Sequence, residues 1–159
     1  MNRQNYNILA GEGDILRILK EIDKAENRES IGAGIHKLLE VLDNYGNADR
    51  TYLFETVHTP EIFKNTYEWC ADGITAQRDN LQDVKFEEMP CWVKKFRQGE
   101  SVVVNNIEDI CHTMPLEYEL LKMKAIKSVV VLPLFHGSYL TGFLGLDNPY
   151  IQENENFIF

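Results

Sequence analysis

The chain is short of positive charge: 16 Lys and Arg against 25 Asp and Glu leave a formal charge of −9 over 159 residues. That balance argues against a nucleic-acid partner and against an anionic membrane surface, both of which attract basic patches. The densest basic cluster, Lys94, Lys95 and Arg97, stands alone and reads as a solvated helix face. Cysteine is scarce as well. Cys70, Cys91 and Cys111 are odd in number and far apart, unlike a disulfide framework or a C-x-x-C metal site. No stretch approaches the roughly 20 apolar residues of a membrane span. The start, Met1-Asn2-Arg3-Gln4-Asn5-Tyr6-Asn7, has no apolar core of signal-peptide length. A cytoplasmic, reducing setting without a membrane span is therefore expected. G-x-G-x-x-G, Walker-type loops and H-E-x-x-H are missing, and so are internal repeats and low-complexity tracts.

What remains is ordinary for one globular domain: 44% hydrophobic and 26% charged residues, in a chain long enough to bury a real core. The spacing of Ile15, Ile18, Leu19 and Ile22 predicts a helix from about Asp14 to Asn27, with Asp14 as N-cap. A second helix is predicted from Ser30, its cap, along the stripe Ile31, Ile35, Leu38, Leu39 and Leu42, to a stop near Gly46. Strands are predicted over Arg50–Phe54 and Lys64–Ala71, joined by a loop at His58-Thr59-Pro60. The polar segment Gln77–Asp83 reads as irregular. A third helix runs from Pro90 to Gly99 and buries Trp92, Val93 and Phe96. After a short strand at Ser101–Val104, Thr113 is expected to cap a fourth helix with Pro115 in its first turn.

The segment Ser128–Asp147 reads as a hairpin turning at Gly137-Ser138, and Asp147-Asn148-Pro149 after it as an Asx-type turn. Val129–Leu132 is apolar on both faces, so the hairpin is expected mid-sheet and covered on both sides. Hairpin-connected strands among grouped helices predict an α+β fold with a mainly antiparallel sheet.

Three stretches, Ala48–Glu55, Asn65–Ile74 and Ser128–Asn148, resemble GAF domains, and the likeness extends from about Ser30 to Asn148. Asn65–Ile74 is most similar to GAF sensor modules of bacterial signalling proteins, often attached to GGDEF diguanylate cyclase domains. The resemblance implies a GAF-like central sheet of five or six strands with helices on both faces. It divides the chain into an amphipathic helical segment (1–29), a GAF domain (30–149) and the start of a truncated C-terminal linker helix (150–159). It also implies a sensing or dimerising input domain with no reaction, metal or cofactor of its own. The partners it implies are an unidentified small molecule, a C-terminal output domain and a second copy in a homodimer. The ligand pocket is expected between one face of the sheet and the helices and loops that follow the second strand.

Alternation places Arg50, Tyr52 and Phe54 on one side of the first predicted strand. The stretch from Asp49 is similar to one that presents aromatic rings to the ligand in pigment-binding GAF domains. Tyr52 and Phe54 are thus candidate ligand-binding residues, with Tyr67 and Trp69 beside them on the neighbouring strand. Trp92 and Tyr118 are candidates to close the pocket from two helices. The ordinary alternative is that these rings are simply core.

Two thiol chemistries compete with sensing. In phytochrome-like GAF domains a Cys-His pair carries a bilin, but counting back from Pro133 the matching position here is Leu116-Glu117. Cys111-His112 then reads as a loop dipeptide. A reductase of the free methionine sulfoxide type needs a low-pKa thiolate, which a helix start beside Cys91 could supply, whereas a buried free cysteine acting as a small hydrophobe is the usual case. The cysteine spacings do not reproduce the close cluster of those enzymes. A purely structural dimerisation module is the third reading. Glu87-Glu88 and Glu117/Glu119 lie in polar contexts and read as solvated surface.

Overall fold

The computed structural model describes residues 8–56 and 61–150. Two helices come first, α1 (Ile8–Asp23) and α2 (Arg28–Gly46). Asp14 lies inside α1 rather than at its cap and pairs with Arg17 one turn on, at 3.0 Å. The cap of α2 is Asn27, three residues before Ser30. Its backbone is extended, and its side-chain oxygen accepts from the Ser30 backbone N–H and hydroxyl, both at 2.9 Å. Gly46 is the last helical residue, and the left-handed position that ends the helix belongs to Asn47 (φ 44°).

The strands are β1 (Arg50–Thr56), β2 (Ile62–Cys70), β3 (Val84–Lys85), β4 (Val102–Val104), β5 (Val129–His136) and β6 (Tyr139–Asp147). They form one six-stranded sheet in the order β3-β2-β1-β6-β5-β4, antiparallel at every pairing. This is the α+β, GAF-like architecture expected. Helices α3 (Pro90–Arg97) and α4 (Pro115–Met123) both begin on proline, which needs no partner for its missing N–H in a first turn. Met114, not Thr113, precedes α4, and it makes no side-chain cap. The stretch expected to be irregular holds a short 3-10 turn at Arg78–Asn80, with β3 just beyond it pairing to Ile62 and Phe63. The His58-Thr59-Pro60 loop and the segments 1–7 and 151–159 lie outside the described residues.

Both faces of the sheet are covered by helices. On one face the Thr51 hydroxyl donates to the Leu39 carbonyl of α2 at 2.7 Å, and α1 packs on α2. On the other, Tyr52, Phe54, Phe143, Val129 and Val131 form the main core with Trp92 and Phe96 of α3 and Tyr118 and Leu121 of α4. Phe143 is the hub of this core. It stacks on Phe54 at 4.6 Å between ring centres and meets Phe63 edge-on at 4.9 Å. Such pairs add about 0.5–1.5 kcal/mol each beyond burial.

The hairpin is covered only at the end away from its turn. Val129–Val131 are buried, but Leu134, Phe135 and Tyr139 are exposed. The reason is the neighbour: β4 has three residues and pairs only with Val129–Val131. Beyond them β5 is an edge. At the turn Gly137 takes φ 59°, a conformation a side chain would strain.

Candidate functional site

Between the inner face of the sheet and α3/α4 lies a cavity of about 50 Å³. Phe54 and Phe143 from the sheet, Trp92 from α3, Leu120 and Leu121 from α4, with Val84 and Met89, make its apolar walls. Arg50, Tyr52, Glu68, Gln77, Lys124 and Asp147 gather at the other end. Strand alternation accounts for Arg50, Tyr52 and Phe54 on β1. On β6 the same alternation brings Phe143, Gly145 and Asp147 to the inner face, opposite Phe54, Tyr52 and Arg50 respectively. Gly145 is required there, because a Cβ would intrude into the Tyr52 ring.

The polar groups hold one another. Arg50 Nε donates to Asp147 Oδ2 and the Tyr52 hydroxyl to Asp147 Oδ1, both at 2.9 Å, while Arg50 Nη1 donates to the Thr75 carbonyl. The Gln77 backbone N–H donates to both oxygens of Glu68 at 3.0 Å, and Lys124 Nζ reaches Gln77 Oε1 at 3.3 Å. Burial raises the Asp147 carboxyl to about 6, outweighing the opposing pull of Arg50. Tyr52 stands well above the ordinary phenol value, from burial first and the Asp147 charge second. Lys124 is lowered, by burial and then by Arg50. Two further lining residues carry buried polar atoms with no hydrogen-bond partner: Asn65 (1% exposed) at Oδ1 and Trp92 (3% exposed) at Nε1.

Of the six aromatic candidates, Tyr52, Phe54 and Trp92 line the cavity. Tyr118 is buried in the same core but outside the lining, its hydroxyl donating to Glu108 at 3.0 Å. Tyr67 and Trp69 are corrected: they lie on the opposite face. They pair with Leu53 and Thr51, and the Tyr67 ring meets His36 of α2 at 5.5 Å. In their place β2 brings Glu68 opposite Tyr52 and, across a bulge, Asn65 opposite Phe54. Sequence reading also missed Asp147, taken as part of a turn. Just after β6, Asn148 takes φ 51°, and its Oδ1 accepts from the Lys127 and Ser128 backbones before β5 and not from a residue of a local turn. The two-residue step from Phe143 through Gly145 to Asp147 was the signal that finds it.

One acidic group departs from expectation and bears on the thiols. Glu117, read as surface, is 1% exposed. From α4 its Oε1 accepts the backbone N–H groups of Cys91 (2.6 Å) and Trp92 (3.2 Å), so the positive end of α3 is already neutralised. The Cys91 thiol is therefore raised rather than lowered, by burial first and then by the Glu117 charge. Burial, with Glu68 next, pushes Cys70 up to about 11. Cys111 is half-buried against the core, outside the cavity lining, and His112 is exposed. Among the described residues no three His, Cys, Asp or Glu side chains are grouped to hold a metal, and no helix is long and apolar enough to cross a membrane.

No curated protein matches this chain in sequence. Solved structures share its fold at low identity. The GAF domain of PixJ from Thermosynechococcus elongatus, in its blue-light-absorbing form, is 18% identical over 82% of this chain and 79% of that one, with a TM-score of 0.62. A phycocyanobilin-bound GAF domain from a cyanobacterial phytochrome is 16% identical over 90% and 84%, with a TM-score of 0.67. The chromophore-binding domain of a bacteriophytochrome from R. palustris reaches a TM-score of 0.71 at 9% identity, over 94% of this chain and 56% of that one. Neighbours in this fold bind biliverdin, phycocyanobilin or phycoerythrobilin, which overturns the expectation that a domain of this kind carries no cofactor. The profile of the GAF domain family matches residues 32–158. The chain belongs to the GAF domain family.

Proposed function

We propose that this domain is a non-catalytic sensory module that takes a small molecule into the cavity between the sheet and α3/α4. One observation carries the reading: apolar rings line one end, a buried Arg50–Asp147–Tyr52 cluster lines the other, and two lining residues, Asn65 at Oδ1 and Trp92 at Nε1, carry buried polar atoms without a hydrogen-bond partner. A concave apolar site with a few convergent polar groups is the usual make-up of a ligand pocket. Packing alone gives no reason to bury an ion pair, which seldom adds stability over apolar side chains. The raised thiols of Cys70 and Cys91 do not support a thiol-dependent reductase.

In this reading Tyr52, Phe54 and Trp92 touch the ligand. Binding shifts the population of arrangements of the flanking helices. The output is a GGDEF diguanylate cyclase domain, of the kind often attached to the GAF sensor modules that Asn65–Ile74 resembles, and two copies pair as a homodimer in the cytoplasm. Native mass spectrometry of the purified domain after exposure to a metabolite extract tests it. A reproducible small-molecule adduct, lost in Phe54→Trp, which fills the cavity, is the expected result; no adduct from any extract removes the reading.

The bilin-bound neighbours favour a second reading, a linear tetrapyrrole. A cavity of about 50 Å³ does not fit a chain of four pyrrole rings, since ligands of drug size occupy roughly 300–1,000 Å³. No cysteine lines that cavity. Incubation with biliverdin or phycocyanobilin decides: a visible absorption band that survives gel filtration supports the second reading, and a colourless protein ends it.

A further inference from the structure

We infer that the charged end of the cavity is a binding site for a small monocarboxylate, which displaces Asp147 from Arg50 so that each anion bound brings one proton with it. The inference rests on the sensory reading and names the chemistry of its ligand.

Two cations, Arg50 and Lys124, and two carboxylates, Glu68 and Asp147, line the same end of the cavity. The two carboxylates are held differently. Both oxygens of Glu68 accept a backbone N–H, that of Gln77, so this group is anchored by the main chain. Both oxygens of Asp147 are held by side chains, Arg50 Nε and the Tyr52 hydroxyl. A carboxylate held only by side chains is the one a chemically equivalent group can replace. Arg50 stays in place during the exchange, because its Nη1 is tied to the Thr75 carbonyl at 2.9 Å.

Charge decides the proton count. With both carboxylates ionised the four groups sum to zero, and an entering anion would leave the buried end net negative. Uptake of one proton by Asp147 restores neutrality: the ligand carboxylate then pairs with Arg50 and Lys124, and neutral Asp147 keeps its hydrogen bond with Tyr52. No covalent bond other than the Asp147 O–H is made. The groups that face Asp147 are Arg50 and Tyr52 from β1, Glu68 from β2 and Lys124 just after α4. The carboxyl already stands at about 6, which puts protonation within reach of mildly acidic conditions. Size limits the rest of the ligand. A cavity of about 50 Å³ accepts on the order of four water-sized groups, so a carboxylate with two or three carbons against Phe54, Trp92 and Phe143 is the match.

The test uses the whole chain labelled with 5-fluorotryptophan, whose two tryptophans give two ¹⁹F lines. Trp92 lines the cavity and Trp69 lies on the other face, so the second line is an internal control. Propionate and its neutral isostere propionamide are titrated in carboxylate-free buffer between pH 5.5 and 7.5. Propionate is expected to shift the Trp92 line alone, its affinity falling up to tenfold per pH unit above 6, and propionamide to show no such pH dependence. In Asp147→Asn, checked for native fold by circular dichroism, propionate binding is expected to be independent of pH and tighter than in the parent at pH 7.5. No propionate effect at pH 5.5, equal binding of propionamide, or a pH dependence that survives in Asp147→Asn each overturns the inference. If propionate fails while an extract ligand is still captured by mass spectrometry, the monocarboxylate falls and the sensory reading stands.

Discussion

Replacing Glu117 by Gln should destabilise the domain and, at the same time, make the Cys91 thiol more acidic. The carboxylate sits on α4 but serves α3: its Oε1 accepts from the backbone of Cys91 and Trp92, two of the donors a helix leaves unpaired in its first turn. Hydrogen bonds to a charged acceptor contribute about 1.5–3 kcal/mol, and losing an N-cap alone costs about 1 kcal/mol. Gln keeps an acceptor oxygen at the same place and loses only the charge, so a loss of about 1–2 kcal/mol is expected. Ala leaves both donors orphaned in a buried position and should cost about 3–4 kcal/mol. Urea unfolding followed by circular dichroism gives both values. The second readout separates this role from mere packing. Part of the upward shift of Cys91 comes from the Glu117 charge, so Glu117→Gln should lower the midpoint of its alkylation-versus-pH curve. Iodoacetamide labelling with peptide mass spectrometry reads that midpoint, with Cys70 as reference. An unchanged Cys91 midpoint in a folded Gln variant, or a Glu117→Ala stability within 0.5 kcal/mol of the parent, would refute the reasoning.

Phe143→Ala removes the ring that joins Phe54, Phe63 and Phe96, and should cost about 3–5 kcal/mol, seen as a much lower urea midpoint. Gly145→Ala forces its Cβ into the Tyr52 ring and should cost about 1–3 kcal/mol; in a Tyr52→Ala background most of that cost should vanish, and a double-mutant cycle that finds simple additivity counts against the contact. The pH dependence has a definite sign. Asp147 has a folded value of about 6 against an ordinary 3.8, so the folded state holds its proton more tightly than the unfolded chain. Its contribution is complete below pH 3.8 and is lost as pH rises through about 6. Stability measured from pH 3.8 to 6 should therefore rise more steeply with pH in Asp147→Asn than in the parent, because the variant lacks this opposing contribution.

Local pattern determined much of this protein. The stripes of α1 and α2, the prolines opening α3 and α4, the β-branched runs and the Gly137-Ser138 turn are short-range signals, and each produced an element close to its predicted place, except that α1 begins at Ile8 instead of Asp14. Alternation along Arg50, Tyr52 and Phe54 was enough to bring three residues to one wall of the cavity. It was not enough for β2. Because helices cover both faces of this sheet, apolar Tyr67 and Trp69 are as satisfied against α2 as they would be against α3, and hydrophobicity does not choose between the sides. The register does, with a bulge beside Leu53 and Phe54 that reverses the alternation within the strand. Charged residues were the least legible. Glu117 has a polar neighbourhood in sequence and a desolvated one in space, because the N–H groups it satisfies lie 25 and 26 residues away. Asp147 and Arg50, 97 positions apart, meet only when β6 lies beside β1. Periodicity sets which elements form and which side of each is apolar; which polar groups lose their water, and so acquire chemistry, is decided by what the tertiary structure places against them.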